Sequence, residues 1–178
     1  MKILGVDPGT WRTGVGVIEA TGNRYKLLYF DTILIQGSIP IEARLGTIYR
    51  NLISVIEKFR PDVLALENIF YAKNIRSMVK IGEARACAML AASQSSISVA
   101  EYPPAKVKQA VTGNGRASKQ QIQAMVKALL GLKALAPSDP SDALAVAICH
   151  LHHQKDKLFL RNIEKSQKSF LTVGASAA

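Results

Sequence analysis

Only two cysteines occur in the 178 residues, Cys87 and Cys149, each among alanines in a helix-like stretch. That is too few for a disulfide framework, and both read as buried free thiols of a reducing compartment. No apolar run approaches the roughly 18–20 residues that a membrane-spanning helix needs. The opening MKILGVDPG is too short for the apolar segment of a signal peptide, and Asp7 interrupts it. The expected location is therefore the cytoplasm, with no membrane partner. No internal repeat is present, which argues against solenoids and propellers. Acids are also scarce, 13 Asp plus Glu against 23 Lys plus Arg, so an acid in an unusual place carries information.

What is present fits one globular domain: 48% of the residues are apolar, enough for a core without a structural metal. The net charge of +10 suits a polyanionic partner, since each phosphate neutralised releases condensed counterions. The charge is concentrated. Between Lys73 and Lys119 eight basic residues face two acids, which places six of the ten net charges in that stretch.

Residues 2–7, 13–20 and 25–35 are short apolar runs separated by Pro8-Gly9 and Thr21-Gly22-Asn23, as in a three-stranded antiparallel meander. From Pro40 onward, Ile41, Leu45, Ile48, Leu52, Val55 and Phe59 alternate at spacings of four and three, which predicts an amphipathic helix stopped at Arg60-Pro61. Val63–Leu66 is apolar without alternation, as in a strand covered on both faces. A second helix is expected from an N-cap at Asn74 to about Ala92, then a strand over 96–102 and a short helix after Pro103-Pro104. Ser118 with Gln121 forms a capping box for a helix through Leu130. The last regular element is expected from an N-cap at Asp139 to His153, leaving 154–178 as a basic, mobile tail after a domain of 1–153. The fold class is α/β, a mixed central sheet of about five strands flanked by helices.

Four acids sit in informative places. Asp7 ends the first strand and Glu67 ends the buried run VLAL, where a carboxylate is costly unless a cation or hydrogen bonds compensate it. The carboxyl ends of strands in open sheets are where ligands bind. Asp139 and Asp142 open the last helix in PSDPSDAL. Read singly, Asp7 is a turn residue, Glu67 a salt-bridge partner, and Asp139 with Asp142 an ordinary helix start. Together they make an all-oxygen donor set suited to Mg²⁺ or Mn²⁺. The run Cys149-His150-Leu151-His152-His153 fits no structural zinc spacing and reads as structural.

The segments ILGVDPGT with TGVGVIE, LALENIFYAKN, VKQAVTGNGRASKQQI and SDALAVAICH, in that order over about residues 1–153, resemble the RuvC Holliday-junction resolvases. The resemblance implies an RNase H-like fold and a crossover junction endodeoxyribonuclease of recombination and repair. It implies paired symmetric nicks in four-way junction DNA by two-metal-ion hydrolysis, leaving 5′-phosphate and 3′-hydroxyl ends. It further implies a homodimer acting with the RuvA–RuvB branch-migration complex. Two Mg²⁺ per subunit, replaceable by Mn²⁺, would be held by Asp7, Glu67, Asp139 and Asp142. Some members carry histidine at the position of Asp139, the most replaceable ligand of the four.

Candidate DNA contacts are Phe70, Lys73, Lys80, Arg85, Lys108, Arg116 and Lys119. Aromatics beside a basic stretch stack on unpaired bases. An isolated Phe70 reads as core, but the matching family aromatic probes the crossover. Arg116 and Lys119 flank the capping box, where helix N-terminal amides also meet phosphates. Lys108 and Lys119 match family DNA contacts, whereas Arg76 does not. Two other readings stay open on the residues alone. DPGTWRTG also resembles the first phosphate loop of actin-like kinases and ATPases, although that architecture needs two lobes. A non-catalytic junction-binding protein would not need four converging acids.

Overall fold

The computed structural model describes residues 1–22, 24–68 and 75–174, with side chains described except at 156 and 158–174. Phe70, Lys73 and the expected N-cap Asn74 lie outside the described residues. The chain runs β1 Lys2–Asp7, β2 Arg12–Thr21, β3 Arg24–Leu34, α1 Ile41–Phe59, β4 Val63–Glu67, α2 Ile75–Gln94, β5 Ser98–Tyr102, α3 Pro104–Thr112, α4 Lys119–Leu130 and α5 Ser138–Gly174.

The five strands form one mixed sheet in the order β3-β2-β1-β4-β5. β1, β2 and β3 pair antiparallel, as the Gly and Pro punctuation predicts, while β4 and β5 run parallel to β1. Side chains alternate between the two faces of a strand. Leu4, Val6, Val15, Val17, Leu64 and Leu66 pack toward α1 and α2, joining Ile48, Leu52, Ala88 and Ala91 in one core. Ile3, Val63 and Ala65 pack toward α3, α4 and α5, with Leu144, Ala147 and Ile148. Apolar layers on both faces explain why VLAL lacks alternation.

α5 lies so close to the sheet that two strand positions have no room for a side chain. A Cβ on Gly5 would overlap the carbonyl oxygen of Ala143, and one on Gly14 would overlap that of Asp139. Glycine therefore lets the helix backbone rest directly on β1 and β2.

Two expectations about α5 need correction. The helix begins at Ser138, so Asp139 is its second residue rather than its N-cap, and Ser141 N donates to Pro137 O. Pro140 then falls in the first turn, where its missing N–H has no intrahelical partner to lose. The helix also continues past His153 to Gly174. Residues 154–173 are polar and basic but hold no Pro or Gly, and Lys, Leu, Gln and Glu are good helix formers. Polar composition alone did not end the helix.

Candidate active site

Strand register brings the first two acids together. β1 and β4 are paired up to Val6↔Leu66, and Asp7 and Glu67 each follow by one residue at adjoining carboxyl ends. By alternation Asp7 shares a face with Ile3 and Gly5, and Glu67 with Val63 and Ala65, so both acids lie on the α5 side. Asp7 pairs with Gly14, and Gly14 is the residue on which the Asp139 carbonyl rests. The first turns of α5 thus carry Asp139 and Asp142 to the same end of the sheet, where the positive end of the helix favours carboxylates.

The electrostatics register this convergence. Burial pushes Asp7 from 3.8 up to about 7, helped by the charges of Asp142, Glu67 and Asp139 and opposed by Lys119. Glu67 is also raised, by burial first and then by Asp142, with Lys108 and Lys119 acting against it. Lys119 is the cationic partner: its Nζ lies 2.9 Å from Asp142 Oδ2 and 3.3 Å from Ser138 Oγ. The hydrogen bond to Asp142 is the main reason its ammonium is held above the usual range. The capping box places it there. Ser118 Oγ accepts from Gln121 N at 3.3 Å, Gln121 Oε1 accepts from Ser118 N at 2.8 Å, and Lys119 is the first residue of α4. Lys108 on α3 completes the wall, and a cavity of about 130 Å³ is lined by Glu67, Lys108, Lys119 and Asp142.

Whether this donor set fits divalent cations turns on its chemistry. All four donors are carboxylates, the hard oxygen ligands that Mg²⁺ and Mn²⁺ take. Their mutual repulsion, registered at Asp7 and Glu67, is relieved by added positive charge. Among the described residues no three His, Cys, Asp or Glu side chains stand close enough together to hold a metal ion. The four acids repel one another, and Lys119 holds Asp142. The buried Oγ of Ser141, between the two α5 acids in sequence, lacks a hydrogen-bond partner among the described residues. The residues fit the ions in charge and donor type.

The candidate DNA contacts divide. Lys108 and Lys119 line the acid cavity, and exposed Arg116 sits in the loop before α4. Lys80 is exposed on α2 in a hollow between α1 and α2. Arg85 is committed to protein partners. Its Nη1 donates to Glu67 O at 2.6 Å, its Nη2 pairs with Glu101 Oε2 at 2.6 Å, and its side chain is 11% exposed. These contacts fix the end of β4. His150 is buried with Nδ1 2.7 Å from the Tyr102 hydroxyl, and His152 Nδ1 is 2.8 Å from Ala110 O, in keeping with a structural role for that run. Both cysteines are free and buried.

The family model for "Crossover junction endodeoxyribonuclease RuvC" matches residues 3–150. The chain belongs to the RuvC family. A relative of that name from Desulforamulus reducens is 52% identical over 151 residues, which are 84% of this chain and 93% of the relative. Another from Geotalea uraniireducens is 46% identical over 171 residues, covering 95% of this chain and 99% of the relative. Among solved structures, T. thermophilus RuvC in complex with a Holliday junction substrate superposes with a TM-score of 0.84 at 32% identity, covering 88% of this chain and 96% of that one. The yeast mitochondrial Holliday junction resolvase Ydc2 has the same fold, with a TM-score of 0.67 at 14% identity, covering 92% of this chain and 83% of that one. RuvC membership separates this chain from the two-lobed actin-like enzymes, and the RNase H-like expectation holds.

Proposed function

We propose that this chain is an endonuclease that resolves four-way DNA junctions by paired symmetric nicks, leaving 5′-phosphate and 3′-hydroxyl ends. The observation that carries the reading is the convergence of Asp7, Glu67, Asp139 and Asp142 where β1 and β4 end beneath α5. Bound there, two Mg²⁺ or Mn²⁺ ions would activate a water and stabilise the leaving 3′ oxygen. Asp7, flanked by the other three acids, is the central oxygen donor. Lys108 and Lys119 bring positive charge to the cavity edge, where a phosphodiester must enter. Arg85 holds Glu67 through its main chain while leaving the Glu67 carboxylate available.

Paired cutting requires two active sites, and α2 supports a homodimer. Ile75, Val79, Gly82, Ala86, Met89 and Leu90 recur at helical spacing on one face, and Ile75 is 75% and Leu90 56% exposed. A second copy burying this row would leave the acid cluster open. The RuvA–RuvB complex as recruiting partner rests on the family resemblance.

The test is incubation with a synthetic four-way junction and Mg²⁺, followed by mapping of the cuts. Symmetric, ligatable nicks in opposed strands are expected, abolished in Asp7→Asn while junction binding persists. ATP hydrolysis without nicking, or tight binding without cleavage in Mg²⁺, overturns the reading.

A further inference from the structure

The turn between β1 and β2 carries the chain's single tryptophan, Trp11, four residues beyond Asp7. The residue remains 44% exposed. That exposure does not come from a loose turn. Thr13, itself fully buried, accepts from Gly9 N at 3.3 Å and donates to Gly9 O at 2.8 Å, and Ile35 N donates to Trp11 O at 3.0 Å. The Arg44 guanidinium lies 3.5 Å from the centre of the Trp11 ring, and Arg44 Nε donates to Ile39 O at 2.8 Å. One face of the indole is thus covered by a tethered cation, while the residue as a whole stays largely open to solvent.

We infer that Trp11, backed by Arg44, is a base-stacking platform for an unpaired nucleotide of the junction. This inference rests on the junction-nuclease reading. A fixed aromatic face with a cation behind it suits this ligand: the ring stacks on any base, and the cation attracts the adjoining phosphate. Because turn and guanidinium are already anchored, little freedom is lost on binding. The placement is asymmetric. β2 and the Trp11 turn lie on one side of β1, whereas β4, which leads in sequence to Phe70, lies on the other. The Trp11 turn is thus at the same end of the sheet as Asp7, on the side away from β4.

Having one tryptophan makes the test direct, since indole emission excited at the red edge, clear of tyrosine, reports on Trp11 alone. The full-length protein is titrated in EDTA with a synthetic junction carrying unpaired bases at the crossover, alongside a gel shift. Saturable quenching that tracks the gel-shift isotherm is expected. Trp11→Ala should weaken junction binding roughly five- to a hundredfold with an unchanged log–log salt slope, because stacking releases no counterions. Trp11→Phe keeps an aromatic face and should retain most of the affinity, and thermal melts check that both variants fold. A full gel shift with unaltered emission overturns the platform while leaving the nuclease reading intact. So does an emission change on dilution without DNA, which would place Trp11 between two copies of the chain. Absence of any gel shift overturns the nuclease reading and the platform with it.

Discussion

In metal-free buffer, Asp7→Asn should make the protein more stable, and only above acidic pH. An aspartate whose folded-state pKa exceeds its unfolded value is held preferentially as the neutral acid. Below pH 3.8 both states carry the proton and Asp7 contributes nothing to the difference. Between 3.8 and about 7 the unfolded chain ionises while the folded chain resists, so stability falls as pH rises. Above about 7 the loss is complete and constant. About three pKa units at about 1.4 kcal/mol each set a ceiling near 4 kcal/mol. Asparagine is close in shape and carries no charge, so it removes that penalty. At about 2–4 °C per kcal/mol for a chain of this size, the variant should melt up to roughly 15 °C higher at alkaline pH. Circular-dichroism melts in EDTA from about pH 4 to pH 8 read this directly. Adding Mg²⁺ should then raise the wild-type melting temperature more than that of the variant, because an ion bound only to the folded state stabilises it by mass action. An equal offset at both ends of the pH range, or none, would refute the claim that like charges and burial strain Asp7.

Lys108→Ala and Lys119→Ala should each weaken junction binding and lower the log–log salt slope by about 1; unchanged slopes in both would mean that neither meets phosphate. Arg85→Met should lower stability by about 2 kcal/mol, discounted from the cost of breaking a fully buried pair because Glu101 is partly exposed. It should slow cleavage per folded molecule and leave the salt slope unchanged, whereas a lowered slope would return Arg85 to the DNA surface. Gly14→Ala should cost about 1–3 kcal/mol by overpacking and reduce cleavage more than binding, since the helix carrying Asp139 must shift. Paired melts and cleavage assays decide it, and full activity would mean that the helix and sheet can separate without loss.

The strands, α1 and the α4 capping box were legible because each rests on a local rule: punctuation by Gly and Pro, helical spacing, or a Ser–Gln pair three apart. Asp7 and Glu67 were legible for the same reason, as acids at the ends of apolar runs. What escaped depends on contacts between distant segments. Arg85 looks like any basic residue in a basic stretch, and only the fold brings it to Glu101 and the Glu67 carbonyl. The contact of Lys119 with Asp142 joins residues 23 apart through the packing of α4 on α5. α5 starts two residues earlier than an N-cap at Asp139 implies, because an Asp before proline suits both a cap and a first turn. Its far end is not legible from polarity, because polar residues without Pro or Gly continue a helix.

The direct seating of α5 on Gly5 and Gly14 has a consequence for how the acid cluster is assembled. A helix that packs through side chains can change its height as rotamers change, but main chain resting on main chain has no such freedom. The separation between the strand that bears Asp7 and the turn that bears Asp139 is therefore set when the domain folds. Ordering that separation costs no conformational entropy when a cation or a phosphate arrives, and a substrate has only side-chain torsions left to settle.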